Sequence, residues 1–280
     1  MKNKLANKVI VVTGGTRGLG LAIAQACVAG GAAVIITSRT STAVDEVVSS
    51  IRARGGQAAG IPCDVANAAQ VQAVKDMALQ TFGRLDVWFN NAGLSAPYGP
   101  TLGVPPERFL RVVQTNIIGT YNGSLVALQQ FVTQGHGKLI NIYGAGDTKV
   151  RPFQNAYGSS KSWVRSFTET LAKEYKDAGV EIIGYNPGLV MTDMLNSVEA
   201  VAGYEEAVMP LATVVRLWGN PPEIPARKAA WLASAATDGR NGLVVRQLTM
   251  FAMLKGILQE GWRRLLGRPP APFALSVETV

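Results

Sequence analysis

The chain has 280 residues, of which 48% are hydrophobic and 16% are charged, and its formal net charge is +8. This length suits one large domain with a buried core and is short for two, and the composition argues against intrinsic disorder. Because the lysines and arginines are scattered and no nucleic-acid-binding motif accompanies them, we expect no nucleic-acid partner.

The cysteine and histidine content indicates a reducing compartment and no metal site. Cys27 and Cys63 are the only cysteines and lie in a helix-like and a strand-end context, where a small core thiol is more common than a disulfide. The single histidine, His136, belongs to no cluster with the spacing of metal ligands. Since the chain also shows neither a signal peptide nor ~18 consecutive apolar residues, we expect a cytoplasmic protein.

In chain order, short apolar runs alternate with amphipathic stretches, which predicts alternating strands and helices. The predicted strands are residues 9–13, 33–37, 58–62, 85–90, 138–143, 181–185 and 243–246, and the predicted helices are 18–29, 42–54, 67–82, 106–134 and 155–177. Apolar strands joined by helices predict an α/β fold, a doubly wound, Rossmann-type parallel sheet. We expect one such domain at 1–246, interrupted by a loop-like segment with one or two helices at 193–225 and followed by a helical extension at 247–280.

The first predicted strand runs into a glycine-rich turn at 13–20, in which Gly14, Gly18 and Gly20 have the spacing Gly-x-x-x-Gly-x-Gly. Glycines allow the backbone to approach a pyrophosphate, and the amides that open the next helix face its charge. The turn therefore predicts a dinucleotide site.

Two arginines near this turn favour NADP(H) over NAD. Arg17 lies within the turn, and Ser38 and Arg39 follow the second predicted strand, where an acidic residue would bind the 2′-hydroxyl of NAD. The guanidinium groups can instead bind a 2′-phosphate. We expect NADP(H), with NAD as the alternative.

Tyr157 and Lys161 are four residues apart on a predicted helix and therefore share one face of it. There the ammonium group favours ionisation of the phenol. With the glycine turn, this pair resembles the short-chain dehydrogenase/reductase family over nearly the whole chain. The resemblance implies interconversion of a carbonyl and an alcohol, with Tyr157 as acid/base and Lys161 orienting it and binding the ribose. Asn116, a poor helix-interior residue, is implied to kink its helix and hold a water of the proton path.

The same resemblance assigns further residues to the cofactor. Asp64 is implied to meet the adenine, and the residues after the sixth strand are implied to fix the nicotinamide amide. The additional cofactor residues implied are Thr16, Leu19, Asp64, Val65, Asn91, Ala92, Gly93, Pro187, Gly188, Val190 and Thr192.

Gly144 departs from the family, whose members usually carry a serine thirteen residues before the tyrosine. Loss of one donor to a developing oxyanion costs about 10²–10³ in rate. Three interpretations remain open: a water, a substrate group or a neighbour such as Tyr143, Asp147 or Thr148 replaces the hydroxyl; the substrate needs less help; or the protein is a weakly catalytic NADP(H)-binding regulator. The segment also resembles the chlorophyll b reductase branch, which has glycine here as well.

The loop at 193–225 is implied by the resemblance to cover the active site. Its apolar side chains, including Met194, Tyr204 and Trp218, together with Tyr143 and Gly144, are candidates to line a pocket for a hydrophobic carbonyl or alcohol substrate. Ordinary core packing of these side chains is the alternative. The resemblance further implies a homodimer or homotetramer formed through two long helices.

The extension predicts an amphipathic helix at 247–267. Its apolar stripe consists of Leu248, Phe251, Leu254, Ile257, Leu258, Trp262 and Leu265, beside the basic residues Lys255, Arg263 and Arg264. We expect this stripe to pack on the protein's own body or on a second subunit, and contact with an anionic membrane surface is the alternative.

Overall fold

The computed structural model describes residues 3–267, 269, 273 and 275–280, and a seven-stranded sheet forms its centre. The strands are β1 (Val9–Thr13), β2 (Ala33–Ser38), β3 (Gln57–Pro62), β4 (Val87–Asn90), β5 (Gly137–Ile142), β6 (Val180–Asn186), β7 (Ser197–Ala200), β8 (Val244–Arg246) and β9 (Ser276–Thr279). The main sheet has the order β3-β2-β1-β4-β5-β6-β8, and all neighbouring strands in it are parallel. This order confirms the predicted doubly wound sheet.

Helices cover both faces of the sheet. They are α1 (Gly18–Ala29), α2 (Ser41–Ala53), α3 (Ala68–Phe82), α4 (Pro106–Val112), α5 (Gly119–Gln134), α6 (Asn155–Glu174), α7 (Asp193–Asn196), α8 (Glu205–Val208), α9 (Pro210–Trp218), α10 (Glu223–Leu232) and α11 (Met250–Leu265). In β1, Ile10 and Val12 belong to one buried cluster and Val9 and Val11 to the other. The four residues Val9–Val12 of the strand are all apolar because both of its faces are buried.

Two predicted helix boundaries follow the expected signals. Asn67 caps α3 by accepting a hydrogen bond from the amide of Gln70 at 3.2 Å, and Gly83 ends it with φ of +73°. A side-chain acceptor at the first turn and a left-handed glycine at the end are the standard devices that terminate a helix.

The predicted helix at 106–134 is instead three segments. A π-helical turn, Val113–Ile118, separates α4 from α5, and Asn116 lies within it. Turns of this kind interrupt the regular hydrogen-bond ladder and are frequent at functional sites.

The segment at 193–225 is more ordered than a loop. It contains α7, β7, α8 and α9, and its last residues already belong to α10, in which Pro225 and Ala226 are buried. We call residues 193–222 the lid. The prediction missed α10, since its small residues, Ala226, Ala229 and Ala230, give little amphipathic contrast.

The C-terminal extension forms a helix and a strand. The helix α11 covers residues 250–265 of the predicted 247–267, and β9 pairs in parallel with β7 of the lid, a pairing that the sequence did not predict. Parts of the extension, residues 268, 270–272 and 274, lie outside the described residues.

Candidate active site

The glycine-rich turn joins β1 to α1 at the carboxyl edge of the sheet. Gly14 and Gly18 have φ of +63° and +54°, a conformation that favours glycine. A side chain on Gly20 would collide with the carbonyl group of Gly14, so the helix approaches the turn closely. Arg17 precedes α1 without making a side-chain capping bond. The first amides of the helix therefore suit an anionic group.

The end of β4 is held against this turn. Thr13 Oγ1 accepts hydrogen bonds from the amides of Asn91 at 3.0 Å and Ala92 at 3.1 Å. The side-chain amide of Asn91 donates to the carbonyl group of Thr13 at 2.9 Å. Thr13, which the sequence analysis did not single out, thus places Asn91 and Ala92 beside Gly14.

The segments after β1, β2 and β3 meet at one edge, because these strands are adjacent and parallel. Arg17 and Arg39 are exposed there, and neither forms an ion pair within the described part of the chain. Ser38 is half-buried, and Asp64 is exposed and accepts a hydrogen bond from the amide of Ala66 at 3.0 Å. Two guanidinium groups are therefore available to an anionic ligand at this edge.

The segment after β6 closes the other side of the turn. A Cβ atom on Gly18 would lie 3.1 Å from Thr192 Cγ2, so these two predicted residues are neighbours. Gly188, which follows Pro187, has φ of +72°, and Val190 forms a bridge to Asn220 of the lid.

Of the remaining predicted cofactor residues, some lie in the turn or near Lys161 and one lies in the core. Thr16 and Leu19 are half-buried in the turn. A Cβ atom on Gly93 would lie 3.5 Å from Asn116 Oδ1 and 3.7 Å from Lys161 Nζ. Val65 is buried, and its side chain packs on Gly119 of α5, so that side chain is part of the core.

Tyr157 and Lys161 share one face of α6, and the ammonium nitrogen lies 5.7 Å from the centre of the tyrosine ring. Lys161 is 6% exposed and donates to the carbonyl group of Ile142 at 3.1 Å. Burial lowers the pKa of Lys161 to about 8, although the charge of Asp147 opposes the change. Burial, with a further contribution from Asp147, raises the pKa of Tyr157 to about 12. The phenol is therefore protonated at neutral pH.

Asn116 is fully buried and its side chain is fully bonded. Its Oδ1 accepts from the amide of Leu94 at 2.8 Å, and its Nδ2 donates to the carbonyl group of Leu94 at 2.9 Å and to Ser160 Oγ at 3.0 Å. These bonds connect the π-helical turn to α6 between Tyr157 and Lys161. Asn116 thus fixes the distance between the two elements.

Gly144 lies two residues after the end of β5 and next to the side chain of Tyr157. A Cβ atom at this position would overlap Tyr157 Oη and lie 3.1 Å from Tyr157 Cζ and 3.2 Å from Lys161 Cγ. The hydroxyl group of Tyr157 therefore occupies the space that a side chain at position 144 would need.

Asp147 is a buried carboxylate just after this glycine. It forms a two-pronged ion pair with Arg246, whose nitrogens lie 2.7 Å and 3.3 Å from its oxygens. The side-chain amide of Asn186 donates to the same carboxylate at 3.2 Å and to the carbonyl group of Gly144 at 3.3 Å. Because both carboxylate oxygens already accept hydrogen bonds from Arg246 and Asn186, this side chain acts as an acceptor and does not replace the serine as a donor.

Tyr143 is 1% exposed, and its ring packs against Gly184 of β6. The expectation that it lines a substrate pocket or replaces the serine is therefore corrected, since its hydroxyl is buried in the protein interior. Thr148, the third suggested neighbour, is exposed.

An aromatic cluster links the lid to the body of the protein. Phe153 contacts Tyr98 and Tyr204, with ring centres 5.6 Å and 5.4 Å apart. Phe153 has φ of +64°, a strained conformation for a residue with a side chain. The predicted substrate residue Tyr204 therefore packs on Phe153, while Met194 remains 45% exposed.

Trp218 lies against the tail. Its Nε1 donates to the carbonyl group of Met253 at 3.1 Å, and its ring lies against Gly256 of α11. The expectation that Trp218 lines the pocket stays a prediction, and the contact that the structure shows for it is with α11.

No group of three or more histidine, cysteine, aspartate or glutamate side chains within the described residues is arranged to hold a metal ion. Cys27 and Cys63 are both free and buried, and burial raises the pKa of the Cys27 thiol to about 12. These thiols are core residues.

Comparison with known proteins agrees with this geometry. Residues 8–202 match the family model described as short chain dehydrogenase. The chain is 33% identical over 235 residues to a 3-oxoacyl-[acyl-carrier-protein] reductase of Synechocystis sp., covering 84% of this chain and 91% of that protein. It is 31% identical over 209 residues to a probable chlorophyll(ide) b reductase of Arabidopsis thaliana, covering 67% of this chain and 42% of that protein.

A solved structure has the same fold. The 3-ketoacyl-(acyl-carrier-protein) reductase of Brucella melitensis, complexed with NADH, superposes with a TM-score of 0.77 at 27% identity, covering 87% of this chain and 97% of that one. With the glycine turn, the tyrosine–lysine pair and the strand order, these matches show that the chain belongs to the short-chain dehydrogenase/reductase family of oxidoreductases.

Proposed function

We propose that the protein is an NADP(H)-dependent oxidoreductase that interconverts a carbonyl and an alcohol on a hydrophobic small molecule. The observation that carries this proposal is the pairing of Tyr157 with a buried ammonium group at the carboxyl edge of the sheet, beside the glycine turn. A protonated phenol next to a buried cation is suited to deliver a proton to an oxygen that gains negative charge.

The cofactor would supply or accept the hydride when bound. The amides that open α1 would hold its pyrophosphate, and Thr192 and Gly188 would close the opposite side. Tyr157 Oη gives its proton to the carbonyl oxygen, and Lys161 stabilises the phenolate that remains. Because the pKa of Tyr157 is about 12 and that of Lys161 is about 8, both groups are protonated at neutral pH, which suits carbonyl reduction.

The surroundings of Gly144 bear on which group replaces the serine hydroxyl as a hydrogen-bond donor. Tyr143 is buried and Asp147 is an ion-paired acceptor, which leaves the exposed Thr148, a water or a group of the substrate as the second donor. The tyrosine hydroxyl itself lies where the serine side chain would be. We infer that Tyr157 meets the substrate oxygen without a serine beside it.

NADP(H) is the proposed cofactor because Arg17 and Arg39 are exposed at the edge where the 2′-phosphate would lie. No acidic residue follows β2, and charge-assisted bonds from guanidinium groups to phosphate are strong. A reducing, cytoplasmic location remains our expectation for a protein with two free, buried thiols.

We also propose that α5 and α6 form a subunit interface. Tyr121 and Leu125 of α5 are 45% and 43% exposed, and Tyr121 contacts Phe167, which stacks on Trp163 at 4.6 Å. Exposed aromatic groups of this kind are enriched in protein interfaces. Sedimentation of a Leu125→Glu variant, which is expected to be a monomer, tests this surface.

The function is tested with Tyr157→Phe. Consumption of NADPH should be measured on a panel of aldehydes, ketones and quinones, alongside NADPH binding by fluorescence. We expect the variant to bind NADPH as well as the unmodified protein and to lose at least ~10²-fold in turnover, whereas Tyr175→Phe at the far end of α6 is unchanged. Turnover in the Tyr157→Phe protein equal to that of the unmodified protein would refute the mechanism.

One alternative is favoured by Gly144, namely an NADP(H)-binding regulator that acts through its C-terminal extension. Tight NADPH binding without tyrosine-dependent turnover on the whole panel would support it.

A further inference from the structure

The helix α11 presents a wide apolar surface that the described residues of the chain leave exposed. Eight positions, at roughly 100° per residue, fall within an arc of ~140° that contains no charged residue. They are Met250, Phe251, Leu254, Ile257, Leu258, Gly261, Trp262 and Leu265. Phe251, Trp262 and Leu265 are 78%, 64% and 78% exposed. The expectation that this stripe packs on the protein's own body is therefore corrected.

A different side of α11 makes the contact with the body. Gly256 is buried, and a Cβ atom on it would collide with the carbonyl group of Leu217 in α9. Trp218 Nε1 donates to the carbonyl group of Met253 at 3.1 Å. Because the helix is held from this side, its apolar surface is directed away from the domain. An exposed apolar surface of this extent marks a site of association.

Basic residues border the apolar arc on both edges. Lys255 lies at one edge and Arg264 at the other, and both are exposed. The helix carries three cations and one carboxylate, Glu260, which pairs with Arg263 at 2.6 Å and Arg264 at 2.9 Å. Lysine and arginine at such edges can extend their charged ends to lipid headgroups while their stems lie along apolar surface.

Charge favours an anionic partner as the occupant, because α11 carries three cations and one carboxylate. An anionic surface is complementary to both edges at once.

We propose that α11 docks the protein on the surface of an anionic lipid bilayer, with its axis in the plane of the interface. Trp262 and Phe251 enter the boundary between headgroups and acyl chains, and Lys255 and Arg264 meet the anionic headgroups. This is surface binding, since none of the helices in the described part of the chain is long and apolar enough to span a bilayer. The proposal does not depend on the proposed chemistry.

The test is co-sedimentation of the full chain with phosphatidylcholine vesicles and with vesicles in which about a third of the lipid is phosphatidylglycerol. We expect binding to the anionic vesicles only. The double variant Phe251→Gln/Trp262→Gln should lose this binding, and Lys255→Gln should weaken it about five-fold. The matched control Leu102→Gln/Leu110→Gln changes two exposed leucines elsewhere and should bind like the unmodified protein.

Three results would overturn the proposal. They are the absence of binding to anionic vesicles, equal binding by the Phe251→Gln/Trp262→Gln protein, and a decrease in oligomeric size of that variant in lipid-free size-exclusion chromatography. The last result would assign the surface to a second copy. Since the changed residues are exposed, thermal unfolding should show that both double variants keep the stability of the unmodified protein.

Discussion

Gly144→Ala tests whether the absence of a side chain at this position is needed to place the tyrosine hydroxyl. The added Cβ atom would overlap Tyr157 Oη and lie 3.1 Å from Tyr157 Cζ. For the overlap to be relieved to an ordinary contact, the hydroxyl must move by about 1 Å. Since a misplacement of about 1 Å costs about 10²-fold in rate, we expect kcat to fall by about that factor while NADPH binding is unchanged.

The Gly144→Ser variant distinguishes the steric effect of a side chain at this position from the effect of an added hydrogen-bond donor. Serine displaces the tyrosine as alanine does but also brings a donor, which is worth about 10²–10³ in rate where it meets an oxyanion. A serine variant much faster than the alanine variant would show that the site lacks this donor. Equal rates would show that another group already supplies it.

Gly158→Ala is the matched control, because it lies in the same helix one residue after the tyrosine. A Cβ atom there meets nothing nearer than 3.6 Å, at Arg151 Cβ. We expect full activity and a gain of about 0.5–1 kcal/mol in the free energy of unfolding, as for glycine to alanine within a helix. A Gly144→Ala protein with kcat within a few-fold of the unmodified protein would show that a side chain at position 144 does not displace the tyrosine hydroxyl.

Two further substitutions test the charges of the site. Between pH 8 and about 10 the unfolded chain binds a proton that the folded protein has released from Lys161, so the free energy of unfolding should rise with pH, and Lys161→Met should remove this rise. The fall of the Lys161 pKa from 10.5 to about 8 corresponds to about 3 kcal/mol. The Met variant should therefore be more stable at pH 7 by about 2 kcal/mol, once the lost hydrogen bond to Ile142 is subtracted. Denaturant unfolding across this pH range measures the difference, and a Met variant that is less stable at pH 7 would contradict the expectation. Arg39→Asp should lower the preference for NADPH over NADH, measured as the ratio of kcat/KM values, by about 10- to 100-fold. The control Arg54→Asp, at the end of α2, should leave that ratio unchanged. An unchanged ratio in Arg39→Asp would show that Arg39 does not bind the 2′-phosphate.

The sequence predicted the sheet well because its signals are local. Strands buried on both faces carry runs of apolar residues, as Val9–Val12 do in β1, and Asn67 and Gly83 mark the ends of α3 by their own chemistry. The pairing of Tyr157 with Lys161 also depends on helical spacing alone. These features require no knowledge of distant contacts.

The features that the sequence did not predict depend on contacts between distant residues. The space above Gly144 is filled by a residue thirteen positions later, and the carboxylate of Asp147 is bound by Arg246 at the far end of the domain. Tyr143 follows a strand, and only the position of Gly184 in the neighbouring strand shows which side its ring occupies. Local pattern identified the reacting residues but not the groups around them.

The pairing of β7 with β9 has a consequence for biosynthesis. The lid strand is synthesised about eighty residues before its partner, so at ~5–20 residues per second it remains unpaired for about 4–16 s. An unpaired strand edge is a template for association with other chains. Glu199 lies in the middle of β7, and its Oε1 is 3.1 Å from Arg108 Nη2. A charged side chain at this position disfavours pairing of β7 with other chains until β9 has been synthesised.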